Sequence, residues 1–347
     1  LAFCSVCGFI MNLAFDPARL EYTQAYENSL FYSSHFKKYA RSLASRLIEC
    51  YDLYNKDIIE IGCGQGDFLS LLCELGNNRG LGFDPAYVKR EKESDTKDKA
   101  KFIQDFYSER YKNYKADLIV CRHVLEHIHN PKVFLNIIRQ AIGNHLNTCV
   151  FFEVPNALYI FNRLFIWDII YEHCSYFTPI SLSRTFSSCM FHIFELTEDY
   201  EGQYLCIDAL PSKQNVPVSD YEQHCDVGSI ARDIESFAAN YRKKVETYRY
   251  KIEQIEGKGQ RAVIWGAGSK GVTFLNLIKN IEVEYAVDIN SRKQGRYIPG
   301  TGQRIVSPEF LRDYRPDVII VMNPIYKNEI RKITRRLRIT AKFIINV

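Results

Sequence analysis

Two stretches of the chain alternate short apolar runs with segments whose apolar residues recur every three or four positions. A short apolar run bounded by polar or glycine residues indicates a buried strand, and the longer period indicates a helix packed on a sheet. The first stretch predicts strands at 57–61, 79–84, 101–105, 117–121 and 147–153, followed by antiparallel strands at 191–195 and 204–210. The second stretch predicts strands at 261–265, 285–288, 317–322 and 342–347. We therefore predict an α/β protein with two doubly wound domains, of which the second is smaller.

A long charged helix is predicted between the two stretches. Residues 211–218 are polar and contain prolines, which marks a boundary, and a helical pattern then runs over about 219–254. Its apolar residues, such as Ile230 and Phe237, recur at steps of three and four, as in a stripe laid on a domain surface. We divide the chain into an N-terminal segment (1–32), a first domain (33–212), a helical linker (213–256) and a C-terminal domain (257–347).

Composition and charge narrow the class of protein. The chain has 347 residues, of which 46% are hydrophobic and 25% charged, as in folded globular proteins. A net charge of +4 is small for this length, so charge gives no reason to expect a nucleic-acid or membrane partner. The apolar run 151–170 contains Glu153, Arg163 and Asp168, which excludes a membrane-spanning helix there. Nine of the 11 cysteines are scattered singly, as buried reduced thiols are, and we expect a cytoplasmic protein.

A glycine-rich turn directly follows the first predicted strand. Residues 58–61, which include Glu60, lead into Gly62, Gly64 and Gly66, and a helical pattern comes next. Glycine has no Cβ and can form a tight turn at which a helix N-terminus faces a ligand. The strand, the turn and the helix therefore predict a site of the size of a nucleotide. The spacing of an acid and three alternate glycines differs from the Gly-x-Gly-x-x-Gly fingerprint of dinucleotide sites.

Acidic, aromatic and basic side chains follow the next three strands. Asp84 ends the second strand 24 residues after Glu60, Asp105 and Phe106 end the third, and the stretch 122–128 follows the fourth. A carboxylate at the position of Asp84 can bind both hydroxyls of a ribose. With the glycine turn, these motifs resemble those of the class I S-adenosylmethionine (SAM) methyltransferases. A Rossmann-type domain for another nucleotide is the alternative.

The resemblance implies that the first domain has the Rossmann-like fold of these enzymes and binds SAM or S-adenosylhomocysteine (SAH). The residues after the third strand would border the adenine, and those after the fourth would lie beside the methionine half. The cofactor-binding residues implied are Glu60, Gly62, Gly64, Gly66, Asp84, Asp105, Phe106, Arg122 and His123.

Two cysteines near the start of the sequence indicate a possible metal site. Cys4-x-x-Cys7 followed by glycine is one arm of a zinc knuckle, in which backbone amides turn toward the thiolates. A structural zinc site normally has two such arms, and Cys50 and Cys63 fall in a predicted helix and in the glycine turn. We favour a second pair upstream of this sequence over thiols that bind nothing. Zinc is expected only with that upstream pair.

The second stretch has a glycine turn of its own. Gly266, Gly268 and Lys270 belong to a Gly-x-Gly-x-x-Gly turn after a strand, and Asp288 ends the next strand 22 residues after Gly266. The pattern predicts a smaller Rossmann-like domain, and its literal interpretation is an NAD site. The domain is short and shows no evident partner for hydride transfer, so we favour a phosphate-holding role for the nucleotide of a substrate. That role would fall to Gly266, Gly268, Lys270 and Asn323.

A cluster of titratable and aromatic residues follows the fifth strand, where methyltransferases place residues that face the substrate. Glu172 and His173 are adjacent there, with Tyr171 before them and Tyr176 after them. A histidine beside a glutamate is a candidate general base with an orienting partner. The structural alternative is a half-buried histidine that anchors a loop. The candidate catalytic residues are His173, Glu172, Tyr171 and Tyr176.

The order of all these motifs resembles that of the sugar C-methyltransferases, which act on nucleotide-linked deoxyketosugars. The resemblance covers nearly the whole chain. It implies that His173 removes the proton next to the keto group, with Glu172 as orienter or acid, and that the enolate carbon then attacks the methyl group. The family has Tyr-His-Glu-His where this chain has Ile-Tyr171-Glu172-His173, so the tyrosine is displaced by one position. An N-terminal tyrosine of the family also reaches the sugar, and Tyr26 or Tyr32 is its counterpart.

Two other functions stay open at this point. An O- or N-methyltransferase of another small molecule or sugar would need less activation of its acceptor. A protein of another class, an NAD-dependent or purely binding protein, would use the C-terminal turn instead.

Overall fold

The computed structural model describes residues 1–19, 27, 29–89, 99–214, 226–278 and 281–345. The chain forms two compact units, each described by itself below. The first unit contains 1–26, 38–159 and 171–232, and the second contains 27–37, 160–170 and 233–347. The second unit thus joins two short segments from earlier in the sequence to the C-terminal residues. Tyr26 lies outside the described residues, and Tyr32 belongs to the second unit.

The first unit is built on a seven-stranded sheet and a small three-stranded sheet. Its described strands are β1 (Ala2–Phe3), β2 (Ile10–Met11), β3 (Asp57–Ile61), β4 (Arg79–Phe83), β5 (Ala100–Ile103), β6 (Leu118–Arg122), β7 (Cys149–Pro155), β8 (Ser175–Tyr176), β9 (Phe191–Asp199) and β10 (Tyr204–Pro211). The large sheet has the order β5-β4-β3-β6-β7-β10-β9, in which β3 to β7 are parallel and β10 and β9 antiparallel. This confirms the predicted fold of the first domain. Strands β1, β2 and β8 form the small sheet.

Helices connect the strands of both units. They are α1 (Ser34–Tyr51), α2 (Asp67–Gly76), α3 (Pro131–Ile142), α4 (Ala157–Asn162), α5 (Pro179–Ser187), α6 (Val227–Glu256), α7 (Ser269–Leu277), α8 (Leu311–Tyr314) and α9 (Lys327–Arg336). The described helix begins at Val227 and ends at Glu256, and positions 219–225 of the helix predicted over 219–254 lie outside the described residues. No described helix has both the length and the apolar character needed to cross a bilayer.

Side-chain caps begin the two helices that follow the site loops of the first unit. The Oδ1 atom of Asn130 accepts a hydrogen bond from the backbone N–H of Val133 at 3.2 Å, and Pro131 occupies the first turn of α3. Thr178 and Ser181 form a reciprocal capping box at the start of α5. Such caps satisfy backbone N–H groups that a helix leaves without an internal partner. The sequence therefore sets where each loop ends, and both helices pack on the core through buried residues such as Leu135.

The second unit contains a five-stranded parallel sheet. Its strands are β11 (Ala262–Trp265), β12 (Tyr285–Val287), β13 (Arg304–Val306), β14 (Val318–Val321) and β15 (Lys342–Ile344), in the order β13-β12-β11-β14-β15. The predicted smaller Rossmann-like fold is confirmed. Strand β13 was not predicted, because three residues between polar segments are too short to show a period.

Two segments from earlier in the chain pack within the second unit. The indole of Trp167 is buried against the rings of Tyr248 and Phe274, at 5.5 and 4.7 Å between centroids. Glu27 accepts hydrogen bonds from Asn290 and Arg292 at 3.0 and 3.1 Å. An aromatic anchor and a buried carboxylate explain why 160–170 and 27–37 belong to this unit.

Candidate active site

The glycine turn after β3 has one side that the protein leaves open. Gly62, Gly64 and Gly66 have positive φ angles of 72°, 55° and 79°, which favour glycine. A Cβ on Gly62 would lie 2.1 Å from Cγ2 of Val124, and one on Gly66 would lie 2.3 Å from the ring of Phe102. Among the described residues other than its chain neighbours, none has an atom within 4 Å of the position of a Cβ on Gly64. The outer two glycines are required by internal packing, and Gly64 exposes backbone to a ligand.

Asp84 lies against this turn, as the ends of adjacent parallel strands require. Its Oδ2 atom accepts the backbone N–H of Gly64 at 2.8 Å, and its Oδ1 atom accepts that of Ala86 at 2.7 Å. Burial raises the pKa of Asp84 above its ordinary value. Each carboxylate oxygen has a second lone-pair site, so both oxygens can accept a further hydrogen bond from a ligand.

Glu60 is enclosed at the end of β3. The residue is 3% exposed, and burial raises its pKa to about 8, against the opposing effects of the Arg122 charge and the Leu69 backbone N–H. Its Oε2 atom has no hydrogen-bond partner among the described residues. A buried polar oxygen is rarely left in that state, so this oxygen is a candidate contact for a bound molecule.

Arg122 belongs to a buried network centred on Glu153. The guanidinium donates to Glu153 Oε1 at 2.8 and 3.1 Å and lies 4.2 Å from the ring centroid of Phe68. The Tyr39 hydroxyl donates to Glu153 Oε2, and His123 Nε2 lies 2.8 Å from Oε1. Burial alone would raise the pKa of Glu153, but the charges of Arg122 and His123 lower it to about 2. Arg122 is thus held by the protein itself.

His123 is held in a conformation that few non-glycine residues adopt. Its φ is +55°, its backbone N–H donates to the carbonyl of Glu153 at 2.8 Å, and its Nδ1 lies 3.8 Å from Glu126 Oε1. Strained backbone of this kind is common at functional sites. The next residue, Val124, faces Gly62, so the loop after β6 abuts the glycine turn.

Asp105 and Phe106 lie at the end of β5. The Asp105 carboxylate accepts hydrogen bonds from the Tyr111 hydroxyl, the Phe106 backbone N–H and Arg110. The hydrogen bond from Tyr111 is the main cause that lowers the pKa of Asp105. Phe106 is 59% exposed. The predicted contact with an adenine stays a prediction for both residues.

Two aromatic rings that the sequence did not mark lie beside the turn. The rings of Tyr87 and Phe102 stack at 4.5 Å between centroids with planes 16° apart, and Phe102 is the residue that faces Gly66. Their apolar positions had only indicated a strand and a loop. A stacked pair at this place is a candidate wall for a planar ring.

His173 lies against the loop that follows β6. It is 7% exposed, and its ring centroid is 4.8 Å from that of His127 and 5.8 Å from that of Tyr176. His127 Nδ1 is 3.1 Å from the carbonyl oxygen of Glu172, and the Cys174 backbone N–H donates to the carbonyl of the residue before His127. The candidate base is therefore connected to the cofactor turn through the β6 loop.

The other members of the predicted catalytic group are spread around His173. Tyr176 lies in β8 and is 2% exposed, whereas Tyr171 is 38% exposed. The Tyr171 hydroxyl accepts a hydrogen bond from the backbone N–H of Asp16 at 3.1 Å. The side chain of Glu172 is half-buried. The structure brings Tyr176 to His173 and directs the hydroxyl of Tyr171 to the N-terminal segment.

Cys4 and Cys7 lie in a turn that suits a metal-binding thiolate. The backbone N–H groups of Cys7 and Val6 lower the pKa of the Cys4 thiol. Gly8 has a φ of +74°, and its N–H donates to the carbonyl of Cys4 at 2.9 Å. Within the described ranges, no other histidine, cysteine or acid joins these thiols in a group of three. They would form half of a four-thiolate site.

The C-terminal glycine turn has the packing of its fingerprint. A Cβ on Gly271 would lie 2.0 Å from the carbonyl oxygen of Gly266, and one on Gly266 would lie 3.3 Å from Met322. A Cβ on Gly268 would lie 3.9 Å from Lys293 Nζ, and no other described residue beyond its chain neighbours comes within 4 Å of it. The turn thus has the open middle glycine that the fingerprint predicts.

Two side chains predicted to hold a nucleotide have partners within the second unit. Lys270 Nζ lies 2.7 Å from Asp168 Oδ2, in a pair that is mostly buried. Asn323 Oδ1 accepts the backbone N–H of Ile325 at 3.2 Å and begins the 3-10 helix Pro324–Tyr326. The pairing of Lys270 with a residue 102 positions away gave no signal in the sequence.

Several polar residues of the site were not assigned a role from the sequence. Glu153 was noted only as a charge in an apolar run, Glu126 and His127 fell only within the stretch 122–128, and Tyr39 was not singled out. A buried acid within a strand is the one signal that pointed to Glu153, because such acids are almost always paired.

Comparisons with known proteins agree with these features. A family model described as a methyltransferase domain matches residues 32–189, and one described as a C-methyltransferase C-terminal domain matches residues 212–347. The C-methyltransferase NovU of Streptomyces niveus is 24% identical in an alignment of length 313, and the match covers 84% of this chain and 72% of that protein.

Solved structures with similar folds include two methyltransferases with bound SAH. The 1,6-didemethyltoxoflavin-N1-methyltransferase of Burkholderia thailandensis is 14% identical and covers 53% of this chain and 86% of its own, with a TM-score of 0.38. The magnesium protoporphyrin IX methyltransferase of Synechocystis is 14% identical, and the match covers 54% of this chain and 90% of that protein, also with a TM-score of 0.38.

Proposed function

We propose that this chain, which is a SAM-dependent methyltransferase, methylates the carbon next to the keto group of a nucleotide-linked sugar. The position of His173 carries the proposal. His173 packs against His127, which shares a loop with Val124, and Val124 faces Gly62 of the cofactor turn. A buried histidine is thereby held close to the turn where the methyl donor is expected.

Three groups of the turn fit the cofactor. Gly64 leaves an open face, both oxygens of Asp84 can accept further hydrogen bonds, and Glu60 has a buried oxygen without a partner among the described residues. These groups would hold a ribose and an amino-acid moiety, as SAM has. When bound, SAM supplies a methyl group on a positively charged sulfur.

The residues around His173 suit a base that acts on carbon. A carbon next to a ketone gives up its proton slowly, and one positioned base contributes about 10²–10⁴-fold. His173 would take the proton on a ring nitrogen while the C–H electrons form an enolate. Burial lowers the pKa of His127 to about 4, so His127 stays neutral and does not repel the imidazolium. Tyr176, which is buried beside the His173 ring, would orient that ring. Glu172, the residue before His173, would act as a second orienter or as an acid.

We further propose that the C-terminal glycine turn binds phosphate groups of the nucleotide. Gly266 shapes the turn, Gly268 offers an open backbone, and the charge of Lys270 would meet a phosphate once it leaves Asp168. Asn323 would act from the neighbouring strand end.

A hydroxyl or amine acceptor is the second candidate. The displaced Tyr171 directs its hydroxyl to Asp16, so the tyrosine expected beside the base in the sugar enzymes is not offered to His173 in the same way. A hydroxyl or amine attacks the methyl group through a lone pair of its own, without an enolate, and would not need that tyrosine.

Deuterium exchange tests the proposal. A panel of nucleoside-diphosphate deoxyketosugars is incubated with the enzyme in deuterium oxide without SAM, and exchange next to the ketone is followed by NMR. We expect exchange by the native chain, its loss in His173→Asn, unchanged SAH affinity in that variant, and no effect of His192→Asn, which alters an exposed histidine. Methyl transfer that persists in His173→Asn without any exchange would identify an oxygen or nitrogen acceptor instead.

A further inference from the structure

The candidate base belongs to a compact group of three ionisable side chains. One carboxylate oxygen of Glu126 and one ring nitrogen each of His127 and His173 all lie within 4.8 Å of one another. Glu126 is 2% exposed and His173 is 7% exposed. A carboxylate and two imidazoles at these separations, out of water, interact strongly because solvent screens them little.

Backbone hydrogen bonds hold the group together. The 3-10 helix Leu125–His127 carries two of its members, and the carbonyl of Glu126 accepts the Cys174 backbone N–H at 2.8 Å. The Cys174 thiol lies 3.2 Å from the carbonyl of His127, and His127 Nδ1 lies 3.1 Å from the carbonyl of Glu172. An Nδ1–H donor to that carbonyl leaves Nε2 of His127 unprotonated while the ring is neutral.

The Glu126 carboxylate is directed to histidines. Its Oε1 atom lies 3.8 Å from His123 Nδ1, and its Oε2 atom has no hydrogen-bond partner among the described residues. Besides the three histidines, the ionisable groups that face it electrostatically are the Cys121 thiol and the Glu153 carboxylate, which His123 and Arg122 already neutralise. Glu126 thus faces His123, and a ring nitrogen of His173 also lies within 4.8 Å of its carboxylate, so a positive charge that appears on His173 would meet Glu126 as well.

We propose that Glu126 is the counter-charge of His173, a positioning residue that stabilises the imidazolium formed when the base takes the substrate proton. The inference rests on the proposed role of His173. In the step concerned, the proton passes from carbon to a His173 nitrogen and the C–H electron pair moves into the enolate. The imidazolium then faces the Glu126 carboxylate until it releases the proton to water. The proposed role is similar to that of the acid in a hydrolase triad, which stabilises the imidazolium there through a direct hydrogen bond.

Burial sets the pH at which this pair works. It raises the pKa of Glu126 to about 7, so the carboxyl group is largely ionised at pH 8 and gains a proton below pH 7. An opposite charge within about 4–6 Å shifts the pKa of a partner by roughly one to three units. Removal of the Glu126 charge should therefore move the titration of His173 to lower pH.

The test uses Glu126→Gln, which keeps the shape and removes the charge. We expect NMR titration of the His173 ring, assigned with His173→Asn, to move down by roughly one to three pH units. The rate of exchange in deuterium oxide should fall about 10- to 100-fold at pH 8. The pH at which this rate rises should shift to a lower value, as the His173 titration does. Glu126→Asp should largely restore the native His173 titration and the native exchange rate. Glu109→Gln, which alters an exposed glutamate, should change neither the titration nor the rate.

The readouts separate this inference from the proposed function. A structural defect would lower the exchange rate without moving its pH dependence, and SAH affinity checks the fold of each variant. An unmoved His173 titration in Glu126→Gln overturns the inference. If the native chain exchanges none of the ketosugars, the proposed substrate is wrong, and the ring titration still decides the role of Glu126.

Discussion

Replacing Glu153 by glutamine would remove the centre of the buried network in the first unit. The carboxylate is completely buried and binds Arg122, His123 and Tyr39. Its pKa falls from the ordinary 4.5 to about 2, and each unit is worth about 1.36 kcal/mol, so ionised Glu153 contributes about 3 kcal/mol. Because the folded pKa is the lower one, this contribution is present above pH 4.5 and is lost as the pH falls toward 2. The variant also leaves Arg122 buried without its counter-charge, a defect of about 3–5 kcal/mol at neutral pH.

Thermal and urea unfolding between pH 7 and pH 2 measures both effects. We expect Glu153→Gln to lower the melting temperature by roughly 6–20 °C at pH 7, at about 2–4 °C per kcal/mol, and to flatten the acid dependence. The matched control is Asp208→Asn in the neighbouring strand β10. Asp208 is also buried, but burial raises its pKa and its partner Arg46 is half-exposed, so acid removes little of its contribution. A Glu153→Gln protein with the native acid midpoint and neutral stability within about 1 kcal/mol would refute the reasoning.

Three further predictions concern the two turns. Asp84→Ala should abolish SAH binding measured by calorimetry, whereas Asp288→Ala, which alters the corresponding acid of the second unit, should leave it unchanged; equal losses would contradict the assignment. Gly64→Ala should fold with a cost of about 1 kcal/mol for its left-handed backbone and weaken SAH binding at least tenfold, because its Cβ would enter the open face. Asp168→Asn should release Lys270 and strengthen binding of inorganic phosphate, and unchanged phosphate affinity would argue against that turn as an anion site.

The sequence contained enough to predict the first turn and its acid. Parallel strands end at the same edge of a sheet, so the strand ends carrying Glu60 and Asp84 had to meet. The positions of Gly62 and Gly66 also follow from local rules, since both stand where a Cβ would collide. These predictions need only strand order and backbone sterics, which short-range patterns report well.

Contacts between distant parts of the chain were not predictable in the same way. Glu153 pairs with Arg122 across neighbouring strands, and apolar periodicity says nothing about which cation meets a buried acid. Trp167 joins the second unit through rings on α6 and α7, which no local pattern records. Charge and aromatic partners that lie far apart in the sequence depend on the completed packing.

The two glycine turns use their acids for the same structural task. Asp84 accepts the backbone N–H of Gly64, and Asp288 accepts that of Ala267 at 2.9 Å, each 22 residues after the first glycine of its turn. A turn with an acid at this distance is therefore stabilised without any ligand. The shared signal predicts the geometry of the turn, and the identity of the ligand has to be argued from what surrounds it.

Those surroundings differ between the turns in a way that decides how each must bind. Apart from the neighbours of Gly64 in the chain, no atom of the described residues lies within 4 Å of the position that its Cβ would take, so a ligand there displaces none of these residues from that face. In the C-terminal turn, Lys270 already holds the Asp168 carboxylate at 2.7 Å, and an incoming phosphate must compete with it. The binding free energy that such a phosphate gains from Lys270 is only the difference between the Lys270–phosphate and the Lys270–Asp168 interactions. Tight binding there requires the further contacts of a whole nucleotide, so the free phosphate group alone is expected to bind weakly until Asp168 is neutralised.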